Sequence, residues 1–423
     1  MKELEAGLCY CDSCRHVLEE KGIKIDVCNI MCATSCQDLT CANCGETIKS
    51  CPNLEGLKKT QLRLVESALK NPNLTVVCFT APSIRASITE EFCGGNVQDG
   101  KGKLVSALKK LGFDYVFDMN IAADFTVVEE AHEFVKRYKE QKNLPMMTSC
   151  CPGWVNYVTK TYKEFIPNLS TCKSPQQMFG ALLNTYFIER LNKESTDIFV
   201  VSIVPCLAKK LEAGQESNNS NIGHDVDAAI TTSELVEMIK DAGIDFSKLE
   251  DCDYDQFFGS ASAAGTIFGN TGGVMEAVLR TVGDCLEEKE TDEAMACLVR
   301  GLGGVRRATI SFGKNKIRVV VVSGIKNASE VLENIKNGKE RVDFLEVMAC
   351  EGGCVGGGGQ PRHMILEIPE YTRKRAEVLY KISNINPVRK SHLNPAIKNV
   401  YDSYLGSIGS KKAIKLLHRK YKR

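Results

Sequence analysis

The sequence predicts an α/β protein with two parallel-sheet lobes that are covered by helices, preceded by a small cysteine-rich module. From Leu74 onward, β-branched runs alternate with helical patterns, as in residues 75–80 and 103–111. This alternation is typical of parallel strands whose connecting helices cover both faces of a sheet. Nine of the 20 cysteines lie before Pro52. A segment so short and so poor in large apolar residues needs bound metal to stabilise it.

Four segments follow one another along the chain. They are the cysteine-rich module (1–52), a helical linker (53–73), the main domain (74–361) and a helical carboxy-terminal segment (362–423). A second lobe of the main domain is predicted from strands near 198–204 and 317–323. The last segment becomes increasingly basic, and we expect it to pack on the main domain with its basic end as a solvated helix face.

Composition narrows the classes of function. The 423 residues are 43% apolar, which allows a large core, and the net charge of +1 gives no electrostatic reason to expect nucleic acid as a partner. No apolar run approaches the ~18 residues that span a bilayer, so membrane insertion is not expected. Residues 1–7 carry no apolar signal segment, and the cysteines are clustered as in metal sites. The sequence therefore predicts a cytoplasmic protein.

Three cysteine motifs share one local pattern. Apolar runs at 144–148, 198–204 and 342–348 each end at a cysteine, and a helical or glycine-rich segment follows. Ligands of open α/β sheets lie beyond the carboxyl ends of the strands, so distant segments can meet there. The cysteines that this pattern brings together are Cys151, Cys206, Cys350 and Cys354. Four thiolates are the ligand set of a 4Fe-4S cluster, and the neighbouring glycines favour backbone that passes close to an inorganic body.

The same residues resemble the FeFe hydrogenases, enzymes that make or oxidise dihydrogen. The family motifs TSCCPxW, MPCxxKxxE and ExMACxxGCxxGGGxP correspond to TSCCPGW at 148–154, VPCLAKKLE at 204–212 and EVMACEGGCVGGGGQP at 346–361. Only Val204, in place of methionine, departs from them. The likeness runs from about residue 74 to the end, where the carboxy-terminal segment is similar to the family's small subunit.

The resemblance implies a specific cofactor. In the family, the 4Fe-4S cluster is bridged to a diiron centre with carbonyl and cyanide ligands, and the bridging thiolate corresponds to Cys354. Lys209 and Ser83 correspond to residues that hold cyanide, with Pro82 as scaffold. Met348 corresponds to a methionine beside the diiron centre, and Val204 takes the place of another. Gln176, in the family-like segment 173–180, is assigned to the same cofactor pocket.

A proton path follows from a spare cysteine. The cluster is complete without Cys150, whose thiol is suited to acid–base work beside a metal centre. Glu130, Glu133 and Arg137 fall on one face of a predicted helix. Without the resemblance, the three charged side chains would be interpreted as part of a solvated surface, and Cys150 would be interpreted as a small core residue. The resemblance instead implies a path from Cys150 through Glu130, Ser170, Glu133 and Arg137; the role of Glu212 stays open.

The amino-terminal cysteines predict one or two further iron–sulfur clusters. The candidate ligands are Cys9, Cys11, Cys14, Cys28, Cys32, Cys36, Cys41, Cys44 and Cys51. A ferredoxin pattern would place a third cysteine where Thr47 stands, so the pairing stays open. A zinc site that includes His16 is the alternative. Six other cysteines match no ligand position and are expected in the core: Cys78, Cys93, Cys172, Cys252, Cys285 and Cys297.

The function expected from the resemblance is the reversible reduction of protons to dihydrogen. Electrons would come from ferredoxin or a partner subunit through the amino-terminal clusters, and dedicated maturation proteins would supply the diiron centre. A non-catalytic redox sensor or an iron–sulfur assembly factor on the same fold is the alternative, and a plain electron carrier is a third. A plain electron carrier would not require Cys150, Lys209 or the predicted helix face that contains Glu130 and Glu133.

Overall fold

The structure is a computed structural model that describes residues 52–213, 224–361, 363–364 and 366–421. The nine amino-terminal cysteines and His16 lie outside these residues. Eight strands are present in the described part: β1 (Thr75–Thr80), β2 (Tyr115–Asp118), β3 (Met146–Met147), β4 (Ile198–Val204), β5 (Ala228–Thr231), β6 (Val305–Phe312), β7 (Asn315–Ser323) and β8 (Phe344–Met348).

The α-helices surround these strands. They are α1 (Pro52–Leu69), α2 (Ile84–Phe92), α3 (Lys101–Lys110), α4 (Asn120–Glu140), α5 (Pro152–Thr161), α6 (Pro175–Leu182), α7 (Ile188–Leu191), α8 (Ala208–Ala213), α9 (Thr232–Asp241), α10 (Ala263–Thr266), α11 (Gly273–Glu287), α12 (Ile325–Lys336), α13 (Ile368–Ile385), α14 (Pro395–Val400) and α15 (Lys411–Leu417). Within the described ranges, no helix combines the length and the apolar character needed to cross a membrane.

The first sheet is fully parallel, in the order β2–β1–β4–β5. Val77 pairs with Tyr115 on one side and with Val200 on the other. Every residue of β1 is buried, which explains why its sequence is a continuous apolar run and does not alternate. Strands covered by helices on both faces require this composition.

The second sheet has the order β3–β8–β7–β6 and is mixed. β3, β8 and β7 are parallel, whereas β6 and β7 form an antiparallel pair that a two-residue turn connects. The lobes also interleave along the chain, because β3 joins the second sheet and β4 joins the first. The prediction that residues 198–204 belong to the second lobe was therefore wrong. An apolar run identifies a buried strand but not its partner, so the sequence pattern did not distinguish the two sheets.

Helix α4 lies between the two lobes and contacts α6, α10 and α11. Phe125 and Val128 pack in the core of the first sheet, while Val127 and Phe134 pack in the core of the second. Apolar residues on both sides leave little of the helix exposed over its first three turns. Any charged side chain in that stretch is consequently buried, and Glu130 is one of them.

The carboxy-terminal segment packs on the main domain through buried polar contacts. Arg375 pairs with Glu90, at 2.5 Å between Nε and Oε1, and Asn394 donates to Asp124 at 2.9 Å. Its last helix, α15, buries Leu416 and Leu417 and leaves its lysines exposed. The solvated basic face expected from the sequence is thus present at this helix.

Candidate functional site

The predicted cysteines meet in one cavity at the carboxyl ends of the strands. Cys151 follows β3, Cys206 follows β4, and Cys350 and Cys354 follow β8. All four line the same cavity, together with Cys150. The amide of Ala349 donates to the Cys151 sulfur at 3.5 Å, which joins the ends of β3 and β8 directly. The two sheets therefore contribute thiols to a common centre, as the strand-end pattern predicted.

Glycines allow the Cys350–Cys354 loop to enter this cavity. Gly353 has a φ of 92°, and a Cβ there would lie 2.5 Å from the Thr271 amide nitrogen and 2.9 Å from the Met348 sulfur. Gly353 and Gly357 line the cavity. Gly359 does not: its missing Cβ makes room for Thr231, at 2.8 Å. Part of the glycine run is thus explained by close protein packing and not by an inorganic body.

Burial raises the pKa values of two cavity thiols. Burial, followed by the charge of Cys151, raises the pKa of Cys206 to about 11. The same two causes raise the pKa of Cys354 to about 12. Buried thiols with such pKa values are poor nucleophiles when protonated, and a metal ion must displace their protons on binding.

Lys209 and Gln176 line the cavity, whereas Ser83 follows the lining residue Pro82 and does not line the cavity itself. The ammonium of Lys209 donates to the Cys150 carbonyl at 3.1 Å and to Glu212 at 2.7 Å. Burial lowers the pKa of Lys209, but the charge and the hydrogen bond of Glu212, together with the charges of Cys150 and Cys206, outweigh it and the net shift is upward. Ser83 Oγ and Gln176 Oε1 are buried without a hydrogen-bond partner among the described residues. Unpaired buried acceptors and hydroxyls are costly, so they favour a bound polar group at this site.

Glu212 has a supporting role that the sequence did not assign. Its carboxylate accepts hydrogen bonds from Lys209, from Ser174 at 2.7 Å and from the Gln176 amide at 3.1 Å. It therefore fixes the orientation of Gln176, whose carbonyl oxygen is left for the cavity. The KxxE spacing of the second motif places Lys209 and Glu212 one helical turn apart, and this spacing is the signal for the pair.

Apolar side chains form the rest of the lining. Pro82, Val204 and Met348 line the cavity as expected. Met119 and Phe268 also line it and had no predicted role. Met119 directly follows β2, so the strand-end rule would have found it. Phe268 lies within the part of the chain that resembles the family but outside the three cysteine motifs, so no motif marked it.

Part of the predicted acid path is joined by hydrogen bonds. Ser170 Oγ donates to Glu133 Oε2 at 2.9 Å, and Arg137 donates to Glu133 Oε1 at 2.6 Å. Both Glu130 oxygens lack a hydrogen bond to the described residues, although the Ser170 hydroxyl is close enough to lower its pKa. The solvated-surface reading of this helix face is wrong, because Glu130 is 0% exposed and Arg137 and Glu133 are largely covered.

Two groups of this path have strongly raised pKa values. Burial and then the charge of Glu133 raise the pKa of Glu130 to about 8. Burial and then the charge of Glu130 raise the pKa of Cys150 well above its ordinary value. A carboxyl that titrates near neutral pH is suited to accept and release protons.

The other described cysteines are unevenly buried. Cys78 and Cys172 are buried, as expected for core residues, and Cys93 and Cys297 are half-buried. Cys252 and Cys285 are exposed, so their assignment to the core was wrong. Cys285 lies in the last turn of α11 and Cys252 in the irregular segment between α9 and α10, where an apolar residue type alone does not report burial.

Comparison with known proteins agrees with this geometry. Residues 74–358 match the family described as the iron-only hydrogenase large subunit, C-terminal domain. The chain belongs to the iron-only hydrogenase family. Residues 369–423 of this hydrogenase-family chain match the iron hydrogenase small subunit.

Several relatives of this hydrogenase-family chain are similar over most of its length. Iron hydrogenase 1 of Clostridium pasteurianum is 43% identical over 86% of the chain, and an NADP-reducing hydrogenase subunit of Solidesulfovibrio fructosivorans is 40% identical over 91%. The chain spans 64% and 66% of these two relatives. An apo FeFe-hydrogenase structure from Chlamydomonas reinhardtii has a TM-score of 0.74 and 34% identity, covering 85% of this chain and 98% of that one.

A second kind of relative is also similar. Cytosolic iron-sulfur assembly component 3 of Bos taurus is 29% identical over 96% of this chain and 84% of its own length. The chain is therefore similar to hydrogenases and, at lower identity, to an assembly component.

Proposed function

We propose that this protein catalyses the reversible reduction of protons to dihydrogen at a diiron centre bridged to a 4Fe-4S cluster. The observation that carries the proposal is the cavity with five cysteines, one of which, Cys150, is surplus to the cluster and adjoins the buried acid Glu130. A cluster-binding site alone requires four thiols. The fifth thiol and the acidic residues beyond it favour proton chemistry over simple electron transfer.

The residues of the cavity fit such a cofactor. Cys151, Cys206, Cys350 and Cys354 would hold the cubane, with Cys354 as the bridge. Anionic acceptor ligands beside it need donors, and the Lys209 ammonium at the cavity lining and the unpaired Ser83 hydroxyl next to the lining residue Pro82 would supply them. Pro82, Val204 and Met348 give that space an apolar wall. When bound, the diiron centre supplies the site at which two protons and two electrons combine.

The chain's own residues move the protons. Cys150 lies at the cavity, and Glu130 is the buried acid next along the path. A pKa of about 8 lets Glu130 hold a proton at neutral pH and release it without a large free-energy change. Ser170 then links this region to Glu133, and Arg137 pairs with Glu133 near the surface. Ser170, Glu133 and Arg137 are joined by hydrogen bonds, whereas both oxygens of Glu130 have no hydrogen-bond partner among the described residues.

Electrons are proposed to enter through one or two iron–sulfur clusters held by the nine amino-terminal cysteines. Ferredoxin or a partner electron-transfer subunit would be the donor, and dedicated maturation proteins would install the diiron centre. The relative that reduces NADP is named as a subunit, which supports a partner-dependent electron supply in the family.

An iron–sulfur assembly factor is the second candidate. The observation that favours it is the 29% identity to the assembly component over 96% of this chain. Against it stand the higher identity to the hydrogenase and the complete set of Cys150, Glu130, Ser170, Glu133 and Arg137. An assembly factor does not require a proton path.

Infrared spectroscopy of protein matured with the diiron cofactor tests the proposal. Sharp carbonyl and cyanide bands, together with hydrogen evolution from a small reduced dye, are the expected result. Amino-acid side chains do not absorb strongly in that spectral window. Absence of both bands and hydrogen evolution in protein that carries a full 4Fe-4S cluster would favour the assembly factor.

A further inference from the structure

A second buried carboxyl group, that of Glu346, lies on β8 two residues before Met348. Its side chain is 0% exposed. Oε1 accepts a hydrogen bond from the Gly272 amide and Oε2 accepts one from the Met275 amide, both at 2.6 Å. These amides lie at the amino terminus of α11, where the backbone donors of a helix are unpaired and the helix dipole favours negative charge. Glu346 is therefore held in the interior as an anion by backbone groups.

The packing of β8 on α4 turns Glu346 toward the acid path. The ring of Phe344 stacks on the ring of Phe134, with 4.7 Å between the ring centroids. Glu346 follows Phe344 by two residues and shares its face of the strand. Glu130 precedes Phe134 by four residues and shares its face of the helix. The two carboxyl groups therefore lie on the facing surfaces of β8 and α4, beside the aromatic pair.

The charge of Glu346 acts on Glu130 across this contact. It raises the pKa of Glu130, after the larger effects of burial and of the Glu133 charge. Burial raises the pKa of Glu346 itself to about 7, against the opposing effect of its two amide donors. Neither oxygen of Glu130 has a hydrogen-bond partner among the described residues. Hydrogen bonds to a carboxylate favour its charged form, and like charges disfavour a second one nearby, so Glu346 carries the charge and Glu130 keeps the proton.

Arg306 and Glu276 are the other charged groups that act on Glu346. After burial and the amide donors, Arg306 of β6 lowers the pKa of Glu346 and Glu276 of α11 raises it. The Glu276 carboxylate is paired with two arginine side chains, at 2.5 and 2.7 Å, so its charge is compensated. Burial keeps the nearby Tyr380 hydroxyl of α13 protonated. The groups that act on Glu130 from the other elements or respond to it are Glu133 and Arg137 of its own helix and the thiols of Cys150 and Cys172.

We propose that Glu346 is a positioning residue of the acid path: it holds a buried negative charge that faces Glu130 and so keeps on Glu130 the proton that Cys150 receives. The inference rests on the proposed function, in which Glu130 and Cys150 carry protons. Once Glu130 has given its proton to Cys150, repulsion by Glu346 favours its reprotonation through Ser170. Glu346 exchanges no proton in this role and acts through Glu130. The glutamate that opens the third cysteine motif thus has a part in proton transfer.

The pH at which Glu130 loses its proton tests this role. We expect the infrared band of the protonated Glu130 carboxyl, identified by its disappearance in Glu130→Gln, to vanish at lower pH in Glu346→Gln than in the wild type. Hydrogen evolution by the variant should be lower by about twofold to fivefold at about pH 8 and close to that of the wild type at about pH 6, where Glu346 is itself largely protonated. Glu351→Gln is the matched control, because Glu351 lies on the cysteine loop but is exposed. It should leave the band and the turnover unchanged.

Glu346→Asp separates charge from packing. Aspartate keeps the charge but withdraws the carboxylate from the two amides, so iron content should fall while the Glu130 band still vanishes near the wild-type pH. A band that Glu346→Gln does not move, or that both substitutions move equally, overturns the proposal. If Glu346→Gln binds little iron, the band is measured in the metal-free full-length chain of each variant, with the same outcomes. A wild type that evolves no hydrogen would count against the proposed function, whereas the band would still test the coupling.

Discussion

Ser170 donates a hydrogen bond to Glu133 at 2.9 Å across a sequence separation of 37 residues. The serine lies in the loop after α5, and the glutamate lies on the helix between the two lobes. Their contact is thus a product of the tertiary fold. The same serine oxygen accepts from the Cys172 amide at 3.2 Å, which fixes the hydroxyl so that its proton points to the carboxylate. The path depends on this arrangement more than on any local helix pattern.

Substitution of two neighbouring cysteines should distinguish a cluster ligand, Cys151, from a proton-transfer acid, Cys150. Cys151→Ser removes a thiolate from the proposed cubane, so iron content and activity should fall together. Cys150→Ala should keep the iron content and the carbonyl and cyanide bands while turnover falls by about 10²–10⁴-fold, because only proton transfer is lost. Near-normal turnover of Cys150→Ala would rule out the assigned acid and the path beyond it.

Glu133→Gln should lower turnover without loss of cofactor. Glutamine keeps the shape of the side chain but cannot cycle a proton at neutral pH. A decrease of at least about tenfold is expected, measured as hydrogen evolution from a reduced dye. Glu140→Gln is the matched control, since Glu140 lies on the same helix but is exposed. Equal effects of the two substitutions would point to a general electrostatic influence of the helix.

The raised pKa of Glu130 should make the free energy of unfolding depend on pH. Its pKa is about 8 in the folded state and near 4.5 when unfolded, so the folded state binds the extra proton between these values. Stability is therefore lost as pH rises from about 4.5 to 8. Glu130→Gln should abolish this loss and stabilise the protein at high pH by up to about 5 kcal/mol. Urea denaturation of cofactor-free protein at both ends of the range measures it. Identical pH dependence of the wild type and the variant would contradict the raised pKa.

Deletion of residues 1–52 should distinguish electron relay from structural metal. If this module holds relay clusters, its loss should slow electron delivery from ferredoxin more than from a small reduced dye that reaches the main domain. The diiron bands should remain. Equal loss with both donors would favour the zinc alternative, and iron and zinc contents per chain provide an independent check.

Much of the main site was predictable, because a cysteine that follows a buried strand is recognisable in the sequence and the geometry of parallel sheets then gives its place in the fold. The runs before Cys151, Cys206 and Cys350 were recognisable as buried strands, and carboxyl ends of parallel strands meet. Sheet membership was not predictable, because β3 and β4 exchange lobes through long-range pairing. The contact between Thr171 and His418 was not predictable from the sequence either, because it joins residues that are 247 positions apart.

Val204 should control the shape of the cofactor pocket. Its side chain is 1% exposed and lines the cysteine cavity, where the family motif has methionine. Val204→Met should place a flexible thioether against the bound diiron centre, shift the carbonyl bands and change turnover by about twofold to tenfold while iron content stays normal. Ile203→Met is the matched control, because successive side chains of a strand point to opposite faces and Ile203 packs in the core of the first sheet. It should leave the bands in place, with a destabilisation of less than about 1.5 kcal/mol. If both variants shifted the bands equally, the effect would come from strain in β4, and the proposed contact between residue 204 and the cofactor would be wrong.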